Sequence, residues 1–287
     1  MVIDPQFIWN GIVVGSLIAL AALGLTLLFG LLNFINIAYG DYMAFGAYFA
    51  LAANVGLGLP IVVSVLIGAV GGGILAVTVH KFIFSKFMDR DPIVLLVVSI
   101  GMAFILRNVI RIFWSTDPQY YAVPVEEGPS FLGVTFLPEQ VAIIAMSLIV
   151  LGLLFLLLHR TRIGIAMRAA SDDTDLARLR GIDTKRLVIY ISLVGGVIAA
   201  FAGIMLGLDS NLRPNMGFIA LIPIFAAVIL GGIGDPTGAV IGGYVIGIGQ
   251  EVSVAFIPSE YKPVVGLVLL IIGLLTRPDG LFGEATR

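Results

Sequence analysis

Asp41 is the only charged side chain between Asp4 and His80, and apolar residues surround it on both sides. A carboxylate inside a membrane is costly, and it is tolerated where it pairs with a cation, holds an ion or lines a wet path. Asn33 and Asn36 precede it. On an ideal helix Asn33, Asn36 and Gly40 fall within about 60° of one another, with Asp41 to one side. Such a stripe faces protein or a water-filled path. The alternative is a polar helix start at an interface, with Asn33 capping the helix that follows. Glu251, after Gln250, is the second candidate, near the outer end of its apolar run, where water would solvate it. Asn33, Asn36, Asp41 and Glu251 are therefore the candidate pathway residues. Asp209, Asn211 and Arg213 form a short polar turn that reads either as part of a site or as a solvated loop. Arg107 and Arg111 are four apart and share a helix face, placed to pair with acidic loop residues or a partner subunit.

No catalytic constellation accompanies these groups. The phosphate-cradling GxxxxGK[ST] pattern does not occur, nor do HExxH and GxSxG. The chain has no cysteine, which excludes thiolate metal sites and cysteine nucleophiles. His80 and His159 each stand where an apolar run meets a basic segment, and read as residues at helix ends rather than a metal pair. Catalytic residues, metal ligands and a bound cofactor are accordingly not expected. A net charge of −2 gives no reason to expect nucleic acid.

The elements that must position these residues are membrane helices. Only 12% of the residues are charged and 59% are hydrophobic. Ordinary soluble chains are about 25% charged, and so few charges could not cover a soluble surface. A bilayer core needs roughly 20 apolar residues per helix. Nine runs qualify: 8–31, 35–55, 60–82, 93–114, 139–158, 187–208, 217–234, 238–257 and 263–277. Either 35–55 or 217–257 is open to being a broken or re-entrant segment. The expected fold is an all-α polytopic membrane protein with about 8–9 transmembrane helices, as one domain over 1–287. The first run is too long for the core of a cleavable leader, and no basic residue precedes it.

Lysine and arginine set the orientation. None occurs before Lys81; they gather in 81–92 and 159–186, whereas 115–138 carries Asp117, Glu126 and Glu127 and no basic residue. This predicts an N-terminus outside and a C-terminus in the cytoplasm, with Arg277 and Arg287 agreeing. Glycines four apart, Gly68/Gly72, Gly203/Gly207, Gly238/Gly242 and Gly243/Gly247, predict close helix packing. The stretches near 30–58 and 231–249 look loosely alike, as an internal repeat would.

The loop 159–186 is the longest basic segment, with seven Lys/Arg and four Asp. Its middle reads as a short amphipathic helix or helix pair. Ser171 or Asp172 is placed to cap a helix running to Arg180, and Gly181 to stop it. A helix with small side chains on one face can lie in a groove of another protein, although a solvated connector is the plainer alternative.

Within that loop, Gly164-Ile165-Ala166-Met167-Arg168-Ala169-Ala170-Ser171-Asp172-Asp173 and Ala177-Arg178-Leu179-Arg180-Gly181-Ile182 resemble the coupling loop of branched-chain amino acid ABC permeases, of the LivH branch. Gly30-Leu31-Leu32-Asn33-Phe34 through Tyr39-Gly40-Asp41 resembles the family's early segment. Gly231-Gly232-Ile233-Gly234-Asp235-Pro236-Thr237-Gly238-Ala239 resembles its glycine turn, and Glu251 and Glu260-Tyr261-Lys262 fall at matching places. There are two departures: the usual His-Gly-Glu is Tyr39-Gly40-Asp41, and Leu179 is followed by Arg180 where the family often has a second leucine. The resemblance implies a non-enzymatic permease of a prokaryotic plasma-membrane importer for branched-chain amino acids. Its partners would be a second, LivM-like permease, two ATP-binding cassette subunits that use the ATP, and an extracytoplasmic substrate-binding protein. It implies a coupling surface at Gly164, Arg168, Ala169, Asp172, Asp173, Ala177, Leu179 and Gly181. Urea, short amides or another amino acid are alternative substrates, and an ion-coupled carrier using Asp41 and Glu251 is the alternative mechanism.

Overall fold

A computed structural model of the chain describes residues 4–124, 128–131, 133–277 and 280–282. Glu126, Glu127 and Arg287 lie outside the described residues. The order is α1 (Pro5–Leu32), α2 (Tyr39–Leu51), α3 (Ile61–Phe82), α4 (Pro92–Trp114), β1 (Ser130–Phe131), β2 (Val134–Thr135), α5 (Pro138–Arg160), α6 (Arg162–Asp172), α7 (Thr174–Leu179), α8 (Thr184–Asp209), α9 (Met216–Gly231), α10 (Pro236–Ser253) and α11 (Lys262–Thr276). A π turn, Ala52–Gly56, prolongs α2. The two strands form one small antiparallel hairpin.

Local chemistry sets the helix starts. Three begin with Asp-Pro: Asp4, Asp91 and Asp235 accept hydrogen bonds from Gln6 N, Ile93 N and Gly238 N, and the proline follows as the first helical residue. Proline at that position lacks an N–H that would be orphaned anyway. Asp183 caps α8 in the same way.

Among the described residues, six helices are long and apolar enough to cross a membrane: α1, α3, α4, α5, α8 and α11 with its leading turn. The chain is an all-α polytopic membrane protein. The nine apolar runs each become a helix, but three differ from a plain span. α2 has 13 residues and α9 has 16, while α10 is glycine-rich and carries Gln250 and Glu251 in its last turn.

Glycine contacts define the packing. α1 lies antiparallel to α10, with Gly11 on Ile248, Gly15 on Tyr244 and Gly243 on Ala19. α3 lies antiparallel to α8, with Gly68 on Ile204, Gly72 on Ala200 and Gly196 on Ala76. Small residues let backbones approach closely where lipid supplies no hydrophobic drive. The expected glycine pairs lie in such contacts.

The halves are inverted copies in outline. A long helix, a connection, a short helix and another long helix occur as α1, 33–38, α2, α3 and again as α8, 210–215, α9, α10. Gly24 of α1 faces Ile198 of α8, and Leu28 faces Gly195, so the two series run in opposite senses. This arrangement sets α1–α3 against α8–α10. Glycine marks close contacts in both halves.

Candidate functional site

The connection 33–38 folds back from the end of α1 toward its middle. Tyr39, the first residue of α2, donates its hydroxyl to Ala21 O at 2.9 Å, far from the helix end at Leu32. Non-helical backbone at this depth needs protein partners. Ser99 of α4 supplies one, accepting from Ile37 N at 3.1 Å. α2 therefore starts inside the bundle, and there it meets the start of α9. A Cβ on Gly40 would strike the Gly217 carbonyl, and a Cβ on Gly217 would strike the Gly40 carbonyl.

Asp41 sits at this junction with no exposed surface. Arg107 of α4 grips it with two bonds, Nε to Oδ1 and Nη2 to Oδ2, both 3.1 Å. Paired N–H···O bonds of this kind fix geometry as well as charge. The same guanidinium lies 4.4 Å from the ring centre of Phe218, in the first turn of α9. A cation over an aromatic face is attracted to it. One arginine thus ties α4 to both short helices. The expected pairing of Arg107 with acidic loop residues is replaced by this one, and Arg111 remains exposed beside Asn108. The expected single stripe is also corrected. Asn33 closes α1 in the left-handed conformation at φ 53, and does not cap the next helix. Asn36 is buried within the connection. Only Gly40 and Asp41 belong to α2, so a helical wheel through all of them does not apply.

The second cluster lies at the far end of the bundle from α6 and α7. A cavity of about 510 Å³ opens between α1, α8, 210–215, α9, α10 and the start of α11. Asp209, Ser210, Asn211, Arg213, Asn215, Gln250 and Lys262 supply its polar groups, and Leu17, Ile18 and Ile224 are among its apolar walls. Glu251 is 6% exposed and accepts from Lys262 Nζ at 2.6 Å. It is therefore a buried partner of lysine, and the expected solvated position is corrected. Asn211 accepts from Arg213 Nε at 3.0 Å. Paired backbone bonds between Leu212 and Gln119 pin the connection 210–215 to the loop after α4. In that loop, burial and the neighbouring Tyr48 raise the pKa of Tyr121, whose hydroxyl donates to Ala47 O at 3.0 Å. Sequence reasoning missed Lys262 as the partner of Glu251. An acid inside one apolar run and a base at the threshold of the next was the available signal.

The third cluster is the corner made by α5, α6, α7 and α8. Thr161 caps α6, accepting from Gly164 N at 3.0 Å. Gly164 packs against the backbone of Leu157 and Leu158, leaving no room for a Cβ. Ser171 Oγ donates to Gly30 O at 2.9 Å and fastens α6 to the end of α1. Met167, Ala170 and Ala177 are buried beneath. Asp173, not Ser171 or Asp172, caps α7, accepting from Asp175 N and Leu176 N. The side chain of Asp172 lies outside the described residues. Gly181, at φ +83, ends the pair as expected. The outward face comprises Ile165, Arg168, Ala169, Leu176, Leu179 and Arg180, with Leu179 85% exposed. Gly164 and Ala177 point inward and shape the corner from beneath.

Residues 7–274 match the family described as branched-chain amino acid transport system / permease component. The chain is 31% identical over 295 residues to the high-affinity branched-chain amino acid transport system permease protein BraD of Pseudomonas aeruginosa, covering 97% of this chain and 95% of that protein. It is 31% identical, with the same coverage, to LivH of Escherichia coli K12. It is also 31% identical over 297 residues to the probable branched-chain permease LivH of Methanocaldococcus jannaschii, covering 98% and 93%. Its fold is similar to that of PsaBC from Streptococcus pneumoniae, with a TM-score of 0.54 at 12% identity over 96% of this chain and 94% of that chain.

Proposed function

The chain belongs to the branched-chain amino acid transport permease family, and on that premise we propose that it is the membrane-spanning subunit of an ATP-driven importer of branched-chain amino acids. The likeness over 97% of the chain to permeases of that name carries the reading. It is an integral protein of the cytoplasmic membrane. In this reading its N-terminus is outside and its C-terminus inside, which puts α6 and α7 in the cytoplasm. A second, LivM-like permease completes the path, an extracytoplasmic binding protein delivers substrate, and two ATP-binding cassette subunits dock on α6 and α7. They hydrolyse the ATP, and this chain rocks between outward- and inward-open states.

The exposed face of α6 and α7 supports that docking. Arg168, Ala169, Leu176 and Leu179 stand outward on a corner fixed by Thr161, Gly164 and Ser171. Movement of the corner would reach α1 through the Ser171–Gly30 bond. An ion-coupled carrier is the weaker reading, because both carboxylates it would use are already paired, Asp41 with Arg107 and Glu251 with Lys262. Asp41 then serves to pin the junction of α2 and α9, while Asn33 and Asn36 shape the connection into it.

The test is uptake of radiolabelled leucine, isoleucine and valine by the complete importer in proteoliposomes, with and without enclosed ATP. ATP-dependent uptake is expected, and its absence for all three would refute the assignment. Ala169→Glu should reduce co-purification of the ATPase and uptake together, while the protein still inserts. Normal values for both would remove the docking claim.

A further inference from the structure

We infer that the cavity between α1, α8, α9, α10 and α11 receives the substrate as a zwitterionic aliphatic amino acid, head group at the rim and side chain below; this rests on the importer reading above. At about 510 Å³ the cavity falls within the range of small-molecule sites, roughly 300–1,000 Å³. Its rim offers both signs of charge. Lys262 spends one N–H on Glu251, which holds the ammonium in place and leaves two donors for a carboxylate. Gln250 is 6% exposed and lines the cavity, yet its side-chain amide has no hydrogen-bond partner among the described residues. Its amide N–H groups are free to donate to a ligand carboxylate. The first turn of α9 borders the same space, and no side chain caps it. Half-helix N-termini at the interface of inverted repeats favour an anionic group by their dipole. Asp209 is likewise free of side-chain hydrogen bonds among the described residues, and its carboxylate suits the ligand's ammonium.

Beneath this rim Leu17, Ile18 and Ile224 present only hydrocarbon. A branched aliphatic side chain fits there, whereas a charged one would lose its hydration without a partner. The site therefore reads three features at once: a carboxylate, an ammonium and an apolar branch. An analogue lacking either charge should leave Gln250 or Asp209 unmatched and bind less well.

The test needs no variant to fold. The assembled importer in proteoliposomes is irradiated with photo-leucine, a diazirine analogue of leucine, and labelled peptides of this chain are mapped. Label within 14–18, at Met43, or within 202–224 or 250–263 is expected, reduced by excess leucine but not by equal 4-methylpentanoate or 3-methylbutylamine. Label elsewhere in the chain, no label, or label indifferent to leucine overturns the assignment. In parallel, Ala220→Trp should fill the cavity and Asp209→Asn should remove the ammonium's partner, each lowering leucine uptake by about tenfold or more. Unchanged uptake in both overturns the assignment as well. Failure of the importer reading looks different: the unaltered complex then takes up no branched-chain amino acid with ATP present, and the cavity assignment falls with it.

Discussion

Asp41 and Arg107 show what a buried charge asks of its surroundings. Each alone would be stranded away from water, and together they neutralise one another through two bonds. Removing one partner of a buried pair typically costs about 3–5 kcal/mol, because the other stays buried, whereas replacing both is often close to neutral. Asp41→Leu should therefore destabilise the protein strongly, and Asp41→Leu with Arg107→Met should recover most of the loss. Denaturant titration of the purified protein in detergent measures both. A double variant no better than the single would show that the pair gives net stabilisation. The need for a partner was legible in the sequence, since Asp41 stood alone in an apolar stretch. The partner's identity was not, because the two lie 66 residues apart and no local pattern joins them.

At the scale of elements, long apolar runs announced the helices to within a few residues, and Asp-Pro pairs marked three starts. Hydrophobicity reports that a segment avoids water, not how deep it begins, so the fold-back of 33–38 showed only as the broken or re-entrant alternative left open for 35–55. Cap choice along Ser171, Asp172 and Asp173 was equally hidden, because all are capping residues and tertiary contacts decide among them. The junction of α2 and α9 depends on Gly40 and Gly217, where either added methyl meets the opposite carbonyl. Gly40→Ala and Gly217→Ala should each lower the yield of folded monodisperse protein, read by fluorescence-detected size exclusion. Gly101→Ala is the matched control, since nothing lies within 4 Å of its added Cβ, and it should match the unaltered chain. Equal yields for all the variants would show that the junction yields without penalty.

For the whole molecule, the inverted halves and the distribution of Lys and Arg make one topological prediction. The chain has no cysteine, so a single introduced thiol reports unambiguously. Ser210→Cys and Ser85→Cys both present exposed positions at opposite ends of the bundle. In intact cells Ser210→Cys should react with a membrane-impermeant maleimide, and Ser85→Cys should react only after permeabilisation. The reverse pattern would invert the proposed orientation. In the proposed orientation the cavity opens to the outside, and this adds an electrical consequence. Water entering it carries the outside potential into the bilayer, so the membrane voltage falls mainly across the layer around Gly40 and Gly217. A net charge crossing that layer gains or loses about 2.3 kcal/mol per 100 mV, whereas a zwitterion exchanges no electrical work with the field. Leucine uptake at fixed ATP should therefore stay flat as a potassium diffusion potential is varied. A steep dependence would mean that charge moves with each turnover, in the substrate or in the protein.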